Sequence, residues 1–153
     1  MSAIRSIGVV GAGTMGNGIA QVFAQAGFNV YLQDTVLDAL DRARTTIEAS
    51  LARLVSKNIL HKDERDRTLE RLSTVRDLGA FSEVDYIVEA IIEDTDTKKK
   101  LFTALDSLVG SSVILASNTS SISISTLAAT TARPDRVLGM HFMNPAPLMP
   151  LVE

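Results

Sequence analysis

The stretch Ile7-Gly8-Val9-Val10-Gly11-Ala12-Gly13-Thr14-Met15-Gly16 decides the fold. An apolar run of strand length enters G-x-G-x-x-G, and Met15, Ile19, Val22, Phe23 and Ala26 then recur on one helical face. Gly27 follows where a left-handed C-terminal cap would close that helix. The pattern's glycines allow a tight turn, close packing of helix on strand and close approach of a phosphate to the backbone. Six residues alone are a weak match, because a glycine-rich turn needs no ligand. Their place between an apolar strand and an amphipathic helix gives the match its weight.

Working outward, apolar runs recur at Asn29 to Leu32, Asp85 to Val88, Val113 to Ala116 and Val137 to Met140, with helical patterns between them. Parallel strands covered on both faces read as such continuous apolar runs, and each crossover needs a dozen or more residues. Leu37, Leu40, Ile47, Leu51 and Leu54 predict a long helix, interrupted at Asn58 and the charged stretch His61 to Arg67 and resuming through Leu69 and Leu72. Asp94 or Thr95 can cap a further helix with Leu101, Leu105 and Leu108 toward the sheet, and Lys98-Lys99-Lys100 reads by default as its solvated face. The fold class is therefore α/β: a Rossmann-type doubly wound, mostly parallel sheet with a helical hairpin inserted after the second strand.

Asp34 ends the second strand, 34 − 16 = 18 positions after Gly16, close to the ~20 at which this fold places an acidic residue on a ribose hydroxyl pair. The expected cofactor is NAD, because a carboxylate there repels the extra phosphate of NADP. A plain surface or capping Asp is the alternative. Gly11, Ala12, Gly13, Thr14, Met15 and Gly16 are the candidate pyrophosphate residues, where free amides and the helix dipole favour an anion.

Composition narrows the partners. The net charge is −3, with acidic and basic residues interspersed, which argues against nucleic acid and for a small-molecule partner. There is no Cys and there are two His, so disulfides and thiolate chemistry are excluded, no metal is expected, and a reducing, cytoplasmic setting is compatible. Residues Ser6 to Gln33 carry no charge, and Ala24-Gln25-Ala26 could imitate a signal-peptidase site. The glycines and polar residues in that run fit a cofactor loop better, so no membrane association is expected. The end, Asn144 to Glu153, is dense in proline and apolar residues and reads as a passage toward further structure.

Four segments resemble the 3-hydroxyacyl-CoA dehydrogenase family, including the bacterial 3-hydroxybutyryl-CoA dehydrogenases. They are Gly-Ala-Gly-Thr-Met-Gly, Val88-Glu89-Ala90-Ile91-Ile92-Glu93, Ala116-Ser117-Asn118-Thr119-Ser120-Ser121 and His141-Phe142-Met143-Asn144-Pro145-Ala146-Pro147-Leu148-Met149. They stand in the family's order and spacing, and the later two are the more specific. The resemblance implies that residues 1–153 are an NAD-binding domain whose partner, a helical C-terminal domain, is absent from this chain.

It also implies an acyl-CoA substrate, oxidised from (S)-3-hydroxyacyl-CoA to 3-oxoacyl-CoA. His141 would take the hydroxyl proton and Glu153, 12 positions later, would pair with it. Imidazole titrates near neutrality, and a carboxylate on its other nitrogen fixes the tautomer and stabilises the imidazolium. Ser120 matches the serine beside the reacting oxygen and nicotinamide. Glu93, Lys98 and Asn144 match further cofactor contacts, and Ser50 and Lys57 match positions that meet CoA. Without the resemblance, His141 reads as a structural histidine, Glu153 as an ordinary acid, the Ser117 to Ser125 run as a helix-capping loop and Asn144 as a turn residue. His61 is assigned to the surface.

Two other readings stand beside this one. A 3-hydroxyacid or 6-phosphogluconate-type dehydrogenase shares the glycine loop but relies on a lysine base in a later domain. A non-catalytic dinucleotide-binding or assembly module, either a fragment or one half of a split protein, would bind cofactor without turnover. Each of these readings admits a homo-oligomer or pairing with a separate C-terminal helical domain.

Overall fold

The computed structural model describes residues 3–153. Six strands form one sheet: β1 (Ser6–Val10), β2 (Asn29–Gln33), β3 (Leu72–Val75), β4 (Tyr86–Glu89), β5 (Ile114–Ser117) and β6 (Val137–Gly139). Their order is β3-β2-β1-β4-β5-β6, and every neighbouring pair is parallel. The helices are α1 (Thr14–Gln25), α2 (Leu37–Ser56), α3 (Lys62–Glu70), α4 (Thr95–Leu108) and α5 (Ile124–Ala128).

Alternation along β1 explains the two layers. Ile7 and Val9 point to one face, where Ile19, Ala20 and Ala24 of α1 and Leu40, Ala43, Ile47 and Leu51 of α2 bury them. Val10 points to the other, packed with Phe81, Phe102 and Leu105 of α4, and Leu127 of α5. Gly8 leaves room for Phe81, whose ring would lie 2.9 Å from an added Cβ.

Gly27 adopts φ +100° after α1, as a left-handed cap requires. Asp94 caps α4, its Oδ1 accepting from the Thr97 amide at 2.8 Å. The hairpin differs in detail from its sequence pattern. The charged stretch after Asn58 is itself helix α3, and Leu72 opens β3 rather than continuing a helix. That edge strand is four residues, Leu-Ser-Thr-Val, with Ser73 and Thr74 exposed, too short and polar to declare itself by hydrophobicity. β4 and β5 each run one residue later than their apolar runs suggest. Glu89 and Ser117 thereby join the sheet.

Candidate active site at the carboxyl ends of the central strands

The strand order reverses between β1 and β4, the point at which a doubly wound sheet leaves a crevice beyond its carboxyl ends. Two cavities lie there. The larger, about 750 Å³, is lined by Gly11, Gly13, Asp34, Arg76, Asp77 and Leu78 among others. The smaller, about 320 Å³, is lined by Met15, Glu93, Lys98, Asn118, Ser120, His141 and Asn144 among others. Ala90 and Ile91 line both, so the cavities adjoin across the turn after β4.

The glycine loop makes each glycine do something different. Gly11 sits at φ +99°, where an added Cβ would meet the Ala90 carbonyl oxygen at 2.6 Å. At Gly16 a Cβ would lie 1.7 Å from the Gly11 carbonyl oxygen, so only glycine lets α1 start this close to β1. Gly13 meets nothing within 4 Å; its space faces the cleft. It is the N-cap of α1, with no side-chain cap and no acidic residue in the first turn, so the first-turn amides are left to an outside acceptor. An open glycine, uncapped amides and a carboxylate one strand away fit a dinucleotide.

Asp34 has partners within the protein. Its Oδ2 accepts from the Ala12 amide and its Oδ1 from the Val36 amide, both at 2.9 Å. These bonds brace the turn after β2 and the glycine loop and do not cap α2, whose N-cap is Val36 with no side-chain cap, and each oxygen keeps a lone pair for a ribose hydroxyl. Arg76, which the sequence reading did not single out, lines the same cleft.

In the smaller cavity the sequence's candidates converge from four elements. His141 follows β6, Ser120 follows β5, Glu93 follows β4 and Lys98 comes from α4. The His141 Nδ1 lies 3.3 Å from Glu153 Oε2, and the two backbones exchange hydrogen bonds at 2.8 and 3.0 Å. The chain thus folds back on itself to bring the pair together. Asn118 Oδ1 accepts from the Phe142 amide at 2.8 Å, locking the histidine segment to the loop that carries Ser120.

Lys98 corrects the default reading of its run. It is 1% exposed, not on a solvated face, and its Nζ lies 2.5 Å from Glu89 and 3.2 Å from Glu93. Glu89, fully buried and unpredicted, accepts also from Ser117 Oγ at 2.6 Å and the Ile91 amide at 2.8 Å. Glu93 accepts from the Thr119 hydroxyl and the Ser120 amide at 3.2 Å. Burial pushes the Glu93 carboxyl up, but hydrogen bonds from Thr119 and Lys98 and the lysine's charge outweigh it and hold the carboxyl below its usual value. The hydroxyls of this loop serve the two glutamates more than α5, whose N-cap Ser123 makes no side-chain cap.

Both signals were present in the sequence. Lys98, Phe102 and Leu105 recur on one helical face, and a charge ending the apolar strand Tyr86-Ile87-Val88 must find a partner. Ser50 and Lys57 lie on α2 and at its C-cap, and neither lines the two cavities. His61 is exposed at the start of α3. Among the described residues no group of three or more His, Asp or Glu could hold a metal, and no helix is long and apolar enough to cross a membrane.

Comparison with known proteins agrees with this geometry. Residues 6–153 match the model of the 3-hydroxyacyl-CoA dehydrogenase NAD binding domain. The 3-hydroxybutyryl-CoA dehydrogenase of Bradyrhizobium diazoefficiens is 45% identical over 99% of this chain and 52% of its own length. The crystal structure of 3-hydroxybutyryl-CoA dehydrogenase from Escherichia coli superposes with a TM-score of 0.96 at 43% identity, covering 98% of this chain and 32% of that one. That of (S)-3-hydroxybutyryl-CoA dehydrogenase from Ralstonia eutropha gives 0.95 at 45%, covering 98% and 53%. The chain spans about half the length of the curated relatives it matches.

Proposed function

Because this chain belongs to the 3-hydroxyacyl-CoA dehydrogenase family, as its NAD-binding domain, we propose that it is the cofactor-binding half of an enzyme interconverting (S)-3-hydroxyacyl-CoA and 3-oxoacyl-CoA. One observation carries this reading: His141, Ser120, Glu93, Lys98 and Asn144 line a single cavity that adjoins the glycine-loop cleft across Ala90 and Ile91. NAD bound across the two supplies the hydride acceptor.

The chain's own residues do the rest. The amides at the start of α1 hold the pyrophosphate and Asp34 receives the ribose hydroxyls. Glu153 on Nδ1 of His141 leaves Nε2 to take the substrate's hydroxyl proton, and stabilises the imidazolium that results. Ser120 donates to the reacting oxygen as it becomes a carbonyl. Ser50 and Lys57 on α2 are proposed to meet the CoA portion, and a helical C-terminal domain to supply the other wall of the acyl site. Exposed Leu148, Met149 and Leu151 beside the histidine segment support such a neighbour. A chain without Cys suits a reducing, cytoplasmic compartment.

Calorimetric titration with NADH and NADPH, followed by an acetoacetyl-CoA reduction assay on the same sample, tests the reading. Preference for NADH with measurable oxidation supports it in full. NADH binding without turnover supports the half-enzyme, in which the acyl wall is supplied from elsewhere. A folded sample that binds neither dinucleotide overturns it.

A further inference from the structure

The network behind the smaller cavity centres on a residue that touches neither cavity. Glu89 ends the central strand β4 and is 0% exposed. Its Oε1 accepts from Lys98 Nζ and from the Ile91 amide, and its Oε2 accepts from Ser117 Oγ. One carboxylate therefore joins α4, the shared wall of both cavities and the end of β5. Lys98 reaches onward to Glu93, and Glu93 to Thr119 and Ser120. Two carboxylates flank one ammonium, and a buried pair of this kind is weak evidence of stabilisation for its own sake, since desolvation opposes the attraction.

We propose that Glu89 is a positioning residue, which by sharing Lys98 with Glu93 keeps the Glu93 carboxylate seated on the Thr119–Ser121 turn and shapes the cavity for the nicotinamide end of the cofactor. The inference rests on the proposed function. Its physical basis is competition for Lys98. With Glu89 charged, Lys98 sits closer to Glu89 than to Glu93, at 2.5 against 3.2 Å. A neutral residue at this position leaves Glu93 as the sole carboxylate partner of the lysine. The pair then draws together, Glu93 leaves the Thr119 hydroxyl and the Ser120 amide, and the loop bearing Ser120 loses its anchor. The network touches the Gly13 and Asp34 cleft only through the Ile91 amide, and no hydrogen bond in it involves Gly13 or Asp34, so the adenosine end is expected to change far less than the nicotinamide end.

ADP-ribose separates this role from a structural one, because it carries the pyrophosphate and both riboses but no nicotinamide. Affinities of wild type and Glu89→Gln for NADH and for ADP-ribose are the measurement. The variant is expected to bind ADP-ribose within about twofold of wild type and NADH roughly tenfold more weakly, a change of about 1.4 kcal/mol. Equal NADH affinity in the two proteins overturns the inference alone. A wild type that binds neither ligand overturns the proposed function and the inference with it. If Glu89→Gln does not fold, Glu89→Asp decides, since it keeps a buried charge but shortens the arm by one methylene, which loosens its hold on Lys98 and lets the lysine shift toward Glu93. In whichever variant folds, a loss confined to NADH supports the positioning role; unchanged NADH affinity, or parallel loss of both ligands, overturns it.

Discussion

At the scale of the residue, Asp34 is placed to serve the fold and the proposed ligand together. Because it accepts from the Ala12 and Val36 amides, Asp34→Ala removes a brace of the glycine loop as well as a ribose acceptor. Bonds to a charged group contribute about 1.5–3 kcal/mol each, so NADH affinity is expected to fall roughly ten- to hundredfold. NADPH affinity, measured alongside, should fall less, because the repelling charge is gone and Arg76 remains in the cleft. An equal loss for both would show that Asp34 acts only through the loop. Glu153→Gln is expected to leave NADH binding unchanged while lowering turnover of the complete enzyme, since its contact is to His141 Nδ1 alone. Asp106 gives a pH prediction. Burial raises its carboxyl, but the Ala132 amide and the Arg133 guanidinium more than reverse this and hold it below the usual 3.8. A carboxyl lowered in the folded state adds stability that is complete above the unfolded value and is lost as pH falls through the folded one. Thermal melts should therefore show wild type losing its advantage over Asp106→Asn as pH falls below about 4, with a full difference at pH 7.

At the scale of the element, the glycine loop separates packing from binding within four residues. Gly16→Ala places a Cβ 1.7 Å from the Gly11 carbonyl oxygen, a backbone atom that cannot rotate away. Overpacking of this kind costs about 1–3 kcal/mol or more, and the variant should melt well below wild type. Gly13→Ala meets nothing in the protein, and exchanging an N-cap glycine for alanine should cost no more than about 1 kcal/mol. Its NADH affinity should nevertheless collapse, because the new methyl occupies the cleft side of the loop. Calorimetry and thermal melts on the two variants check this; a Gly13→Ala protein that binds as wild type would move the pyrophosphate elsewhere. Helix α4 combines both kinds of role on one stripe, with Phe102 and Leu105 in the core and Lys98 one turn earlier at the cavity.

At the scale of the whole molecule, a dinucleotide bound across both cavities as proposed would bridge both sides of the topological switch and should stabilise the sheet as a unit. At a hundredfold excess over Kd, NADH is expected to add about 2.7 kcal/mol, a rise in Tm on the order of 5–10 °C for a chain of this size, with NADPH giving less. A flat melting temperature would mean that NADH does not bind the folded chain. The sequence by itself determined the parallel α/β class, the glycine turn, Asp34 and the motif residues His141, Ser120 and Asn144. The class, the turn and Asp34 are properties of local order, namely apolar periodicity, the steric freedom of glycine and the spacing of one acidic residue from the loop, whereas His141, Ser120 and Asn144 were marked only by the resemblance of their motifs to the family. It did not show β3, because a four-residue polar edge strand is stabilised by pairing with β2 and not by burial. Nor did it reveal that Lys98 is buried against Glu89 or that Arg76 faces the Asp34 cleft. Only the tertiary structure decided these, because each depends on two distant segments meeting at the carboxyl ends of the strands, and the free energy of such a contact belongs to neither segment alone.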